Sequence, residues 1–214
     1  MTRYVIALDP VTSGCSAALI AEGADTPAVM WIPAPPPNSN ISIASTVHRT
    51  VATAESVMNS VLRSGKPTLV VMMKPFCGDI HQDPSGPRRM MLSGEIQRRL
   101  VEADVRVAEV PPMTVTKWLL GDFQAGKRGQ EAVEKTVRST FPGIDTTGLN
   151  AKFRWSTVAL AAAGCLAAGI ETRIQVTDAR LRDLRPMVLP STWTLPQSAT
   201  EWHQRHSIKQ EVSA

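Results

Sequence analysis

Only three cysteines occur in this sequence of 214 residues, and Cys15, Cys77 and Cys165 lie far apart. Such spacing gives neither paired metal ligands nor an even-numbered disulfide framework, and it favours a reducing compartment. No apolar run is long enough to span a bilayer. The Ala-rich stretch 158–170 is too short and reads as a buried helix. The first strand begins by Tyr4, leaving no room for a signal peptide ahead of it. The expectation is a cytoplasmic protein with no membrane partner. The sequence also lacks an internal repeat and a second glycine-rich phosphate motif, and it has no Asp or Glu between Asp145 and Glu171. What is present is ordinary for a folded chain. Apolar residues make up 43%, enough for one well-filled core with a tail or small appendage. A formal net charge of +4 and a pI near 9.2 suit a polyanionic partner without requiring one.

The chain is organised around residues 4–20. An apolar, β-rich run ends on Asp9, and Pro10, Ser13 and Gly14 turn the chain back. A carboxylate at the end of a buried strand is poorly solvated unless a metal, a hydrogen-bond donor or a base attends it. Ribonuclease-H-like folds open this way and use that Asp to hold a divalent metal. Actin-like sugar-kinase folds also do, and there the turn cradles phosphate. A plain hairpin with a solvated Asp gives the same pattern.

Residues 28–32 supply a third strand, and the proline-rich 33–40 is a stiff loop. Ile43, Val47, Val51, Ala54, Met58 and Val61 recur at helical spacing. Residues 68–73 form the continuous apolar run of a strand buried on both faces. After a polar loop, Arg88 and Arg89 open a second helix with Leu92, Ile96 and Leu100 on one face. Residues 105–110 alternate like a half-buried strand. Thr114 is placed to cap a short helix through Trp118, and 121–129 reads as a flexible loop carrying Lys127 and Arg128. Helices follow over 130–140 and 155–168, the latter apolar nearly all round and therefore central. The expectation is an α/β fold, a mixed five-stranded sheet flanked by helices, over residues 1–170. Residues 171–214 read as a C-terminal extension that packs locally or docks on a partner.

Taken in order, these motifs resemble the RuvC family of Holliday-junction resolvases, in a divergent form like those of phages, from about Tyr4 to Ala168. Ile6-Ala7-Leu8-Asp9-Pro10 is similar to the family's opening strand with its first metal Asp. Val71-Met72-Met73-Lys74-Pro75-Phe76 sits where the family has a strand ending in a catalytic Glu, followed closely by a Phe. The stretch from Val110 through Lys117 to Lys127 resembles the helix and basic loop that grip DNA, and 132–138 the helix after it. Ser156-Thr157-Val158-Ala159 sits where the family carries its last metal Asp on an Ala-rich helix. The resemblance implies a ribonuclease-H-like fold, a bacterial or phage setting, a two-fold dimer or pairing with an active homologue, and four-way-junction DNA as partner. It also implies Mg²⁺ or Mn²⁺ bound by acids at the positions of Asp9, Met73, Phe153 and Ser156.

Only Asp9 of those four is an acid. Hard divalent ions need oxygen ligands, thioether sulfur is soft, and a Phe ring offers no donor. Asp79, Asp83 and Asp145 are the acids left to substitute. Implied on the DNA side are Lys74, Arg88, Arg89, Lys117, Lys127, Arg128 and Lys135 as phosphate contacts, with Phe76 as a stacking platform. The leading expectation is a junction-binding protein that cuts poorly or not at all alone. The alternatives are an active endonuclease with a rearranged site, an actin-like phosphotransferase, and a subunit of a tRNA-modifying complex.

Overall fold

A computed structural model describes residues 2–37, 39, 42–76, 81 and 83–211. Its elements, in chain order, are β1 (Tyr4–Val11), β2 (Gly14–Ala21), β3 (Ala28–Pro33), α1 (Ile43–Leu62), β4 (Leu69–Met73), α2 (Gly86–Glu102), β5 (Val107–Val110), α3 (Pro112–Leu120), α4 (Gly126–Thr140), α5 (Ser156–Ala168), α6 (Asp178–Asp183) and α7 (Ala199–Glu211). The expected mixed five-stranded sheet is present, in the order β3-β2-β1-β4-β5. Short turns join β1 to β2 and β2 to β3 as antiparallel neighbours. The crossovers through α1 and α2 make β4 parallel to β1 and β5 parallel to β4, as helical connections require.

Side chains on a strand alternate between faces, so each strand feeds two cores. Ile6, Leu8, Val70 and Met72 meet α1 and α2 on one side. Val5, Ala7, Ala18, Leu69 and Val71 meet α5 on the other. All five residues of β4 are buried, as the unbroken apolar run predicts for a strand covered on both faces. Helix α5 lies directly on the sheet because Gly164 has no side chain. A Cβ there would fall 2.3 Å from Val71 Cγ2 and 2.8 Å from Val5 Cγ1.

Helix α5 is buried nearly all round and needs cover on the side away from the sheet. That cover comes from α3 and α4, and from Ile174, Leu181, Leu184, Met187 and Trp202 in the segment after Gly169. Trp202 is fully buried, and its Nε1 donates to the Leu166 carbonyl at 2.8 Å. Glu109 and Val188 exchange backbone hydrogen bonds, which occupies the free edge of β5.

Several boundaries differ from the sequence expectation. Pro10 and Gly14 lie in the paired strands, so the turn is confined to Thr12 and Ser13, and α2 opens at Gly86, ahead of Arg88. Helix α3 starts at Pro112, where the missing N–H of a first-turn proline is harmless. Thr114 is therefore inside the helix and buried rather than its cap. Helix α4 starts at Gly126, so Lys127 and Arg128 stand on its first turn and not in a flexible loop.

Candidate functional site

The parallel strands β1, β4 and β5 bring their C-terminal ends to one end of the sheet, and α5 begins beside β1 there. Leu8 pairs with Met72 in the parallel register. Asp9 and Met73 each follow by one residue and share the α5 side, like Ala7 and Val71 before them. On the other flank Asp9 pairs with Ser16 of β2. Asp9 and Met73 are both buried, at 4% and 5% exposure. Phe153 is buried in the same core as Met73. Its ring meets Trp155 edge-on at 5.4 Å. Ser156, half-buried, is the first residue of α5.

The residue that faces Asp9 is one the sequence reading passed over. Arg154 Nη1 lies 3.5 Å from Asp9 Oδ2. Its backbone N–H donates to Ser16 Oγ at 3.0 Å, which anchors the start of α5 over the β1–β2 pair at the level of Asp9. Burial pushes the Asp9 carboxyl above the ordinary carboxylate range, and the Arg154 guanidinium, with Arg89 more weakly, pulls it back down. Burial also pushes the neighbouring Cys15 thiol up, leaving it an inert core group.

These residues do not fit a divalent metal. Asp9 supplies one carboxylate and already has a cation beside it, Met73 supplies a thioether, Phe153 supplies no donor, and Ser156 at most an uncharged hydroxyl. Among the described residues no three His, Cys, Asp or Glu side chains converge. The two substitute acids among the described residues, Asp83 and Asp145, make hydrogen bonds elsewhere. Asp83 is ion-paired with Arg89 and accepts from Ser85 Oγ at 2.8 Å, and the Arg89 guanidinium holds its carboxyl below the usual range. Asp145 caps Thr147 N–H at 2.8 Å. Asp79 and Cys77 lie outside the described residues.

The basic residues divide into groups. Lys74 directly follows Met73 and is exposed, and Phe76 two residues on is 70% exposed. Arg89 donates to the Phe76 carbonyl at 2.9 Å and so ties α2 to the loop after β4. Arg88, exposed, lines a notch of 70 Å³ between α1 and α2 together with Thr12 and Arg49. These groups cluster at the C-terminal end of the sheet. Lys117 is instead paired with Asp183 of α6 at 3.1 Å. Lys127 lies 3.8 Å from Glu131 on its own helix, and Arg128 and Lys135 are exposed on α4. The part of α4 that reaches the start of α5 is its last turn, where Arg138 stacks 4.1 Å over the Trp155 ring. Arg128 is ten residues back along α4, about 15 Å at the helical rise.

No protein-family model matches this chain, and no curated protein does. Solved structures do. RuvC from Thermus thermophilus is similar with a TM-score of 0.54 at 18% identity, over 74% of this chain and 90% of that one. The same protein in complex with a Holliday junction substrate is similar with a TM-score of 0.53 at 20% identity, over the same 74% and 90%. The yeast mitochondrial Holliday junction resolvase Ydc2 follows with a TM-score of 0.48 at 12% identity, over 74% of each chain. The chain thus has the ribonuclease-H-like fold of the RuvC Holliday junction resolvases.

Proposed function

We propose that this protein binds branched DNA of the four-way-junction type at the C-terminal end of its sheet, and that it cleaves that DNA poorly or not at all by itself. The observation that carries the second half is the Arg154–Asp9 pair. In the two-metal route, divalent ions held by several acids stabilise the in-line attack on a phosphodiester. Here a guanidinium stands against Asp9, the one acid at this point among the described residues, and the flanking positions are Met73 and Phe153. No described residue favours the alternative of a rearranged active site, because Asp83 and Asp145 are committed elsewhere.

The DNA half rests on the fold, on a fold neighbour solved with a junction, and on the exposed Lys74, Arg88 and Phe76 at the same end of the sheet. Lysine and arginine bind phosphates through charge and counterion release, without reading sequence. An exposed Phe offers a sequence-tolerant face to an unstacked base at a branch point. A two-fold homodimer, or pairing with an active homologue, would match the symmetry of a four-way junction.

The test is a competition binding assay with four-way junction, duplex and single-stranded DNA at matched salt. The proposal expects preference for the junction and an affinity that falls steeply with salt. Equal affinity for junction and duplex would reject it.

A further inference from the structure

The Arg154–Asp9 pair is asymmetric. The Asp9 side chain is 6% exposed and that of Arg154 is 53% exposed. The carboxylate therefore lies behind the guanidinium, away from solvent. A guanidinium carries five N–H donors in a planar fork. One nitrogen faces Asp9, and among the described residues no other side-chain partner of Arg154 is present, so much of the fork is open to solvent. Three features hold it in place. The backbone N–H of Arg154 is fixed by the fully buried Ser16. The Arg154 carbonyl accepts from Thr157 N–H at 3.0 Å, closing the first turn of α5. Phe153 on one side is buried, and Trp155 on the other is packed under Arg138. Arg154 is the outward residue between two inward aromatics, and the ion pair with Asp9 fixes its rotamer. Asp83, the described acid of the loop after β4, is ion-paired with Arg89, while Lys74 stands exposed at the end of β4. A planar, pre-oriented donor fork in a locally cationic setting is built for a phosphate, which it can bind through two parallel N–H bonds.

We propose that Arg154 holds a phosphodiester of the DNA backbone at this sheet end, as a fixed organic cation standing where Asp9, Met73 and Ser156 cannot assemble a divalent-ion site, so that docking there needs no metal. The inference rests on the reading that DNA binds this end of the sheet. It adds which group takes the phosphate.

The experiment measures fluorescence anisotropy of a labelled four-way junction over a salt series, in EDTA and in Mg²⁺ at matched ionic strength. It uses the full chain and its Arg154→Gln and Arg154→Lys variants, with folding checked by circular dichroism. Half-exposed Arg154 leaves no buried gap when it is shortened to Gln. The wild type should bind in EDTA at least as tightly as in Mg²⁺, which competes for the phosphates. Arg154→Gln should weaken binding about tenfold, the worth of one charged hydrogen-bonding group, and lower the magnitude of the log–log salt slope by about 0.9. Arg154→Lys should restore the slope but only part of the affinity, since an ammonium cannot make the paired contact. A neutral methylphosphonate placed singly along the strands near the crossover should have one position that weakens the wild type and leaves Arg154→Gln unaffected. Binding by Arg154→Gln with unchanged affinity and slope would overturn the inference while leaving the DNA reading intact. Junction binding by the wild type that requires Mg²⁺ would also overturn it. A wild type with no salt-dependent DNA binding would defeat the DNA reading itself.

Discussion

Asp9→Asn should make this protein more stable, and the gain should depend on pH. A carboxylate taken out of water loses several kcal/mol of solvation even after relaxation. One cation about 4 Å away returns about 4 kcal/mol at an effective dielectric near 20. Arg154 is half exposed and screened by solvent, so its return is smaller. The net balance is unfavourable to the charged form, in line with the upward displacement of the Asp9 carboxyl. A carboxyl that holds its proton more tightly when folded stabilises the fold most below its unfolded value of 3.8. That stabilisation is lost as the pH rises through the folded value, above which the full cost of the buried charge is borne. Asn keeps the shape and removes the charge, and the released Arg154 is solvated where it stands. The variant should gain about 1 kcal/mol at pH 7, of the size that single stabilising substitutions commonly give. The difference should shrink toward zero as the pH falls to about 4. Urea denaturation followed by circular dichroism between pH 4 and 8 measures both. An Asp9→Asn variant less stable than the parent at pH 7, or a difference that does not change with pH, would refute the reasoning.

Other expectations follow from the packing. Gly164→Ala should destabilise by about 1–3 kcal/mol, because its methyl meets Val71 and Val5 at 2.3 and 2.8 Å; thermal unfolding reads this. Trp202→Ala should cost about 3–5 kcal/mol, as expected for emptying a buried site of this size, and chemical denaturation checks it. Restoring acids by Met73→Glu with Ser156→Asp should give little Mn²⁺-dependent stabilisation while Arg154 remains. Adding Arg154→Asn should increase it, as a thermal shift titration with MnCl₂ would show.

The strands, the first two crossover helices and α5 are legible in the sequence because burial writes a period. β1 and β4 are apolar runs, and α1 repeats its apolar residues at helical spacing over its whole length. The starts of α3 and α4 are not. Pro111 and Ala125 occupy their N-cap positions and neither offers a capping side chain. The glycines and cations of 126–129 then imitate a loop. Gly129 is there for packing, since a Cβ would fall 2.0 Å from the Gln124 carbonyl oxygen. Helices α6 and α7 are masked by prolines between them and by apolar residues too sparse to show a period. A clue existed in α5, because a helix apolar on every side demands cover beyond the sheet. At the site, the scarcity of acids is plain in the sequence, and the cation beside Asp9 is not. Arg154 is a lone cation between two aromatics in an acid-free stretch, immediately before an Ala-rich helix. Its meaning depends on Ser16 and Asp9, which lie more than 130 residues away in sequence and meet it only through the fold.

The proposed function is that this end of the sheet holds branched DNA without cutting it. Its most direct test is incubation of the purified chain with a labelled four-way junction in Mg²⁺ and in Mn²⁺, with binding and strand cleavage scored on the same samples. The expected result is a retarded complex in which every strand stays intact. Efficient metal-dependent resolution of the junction by the unmodified chain would contradict it.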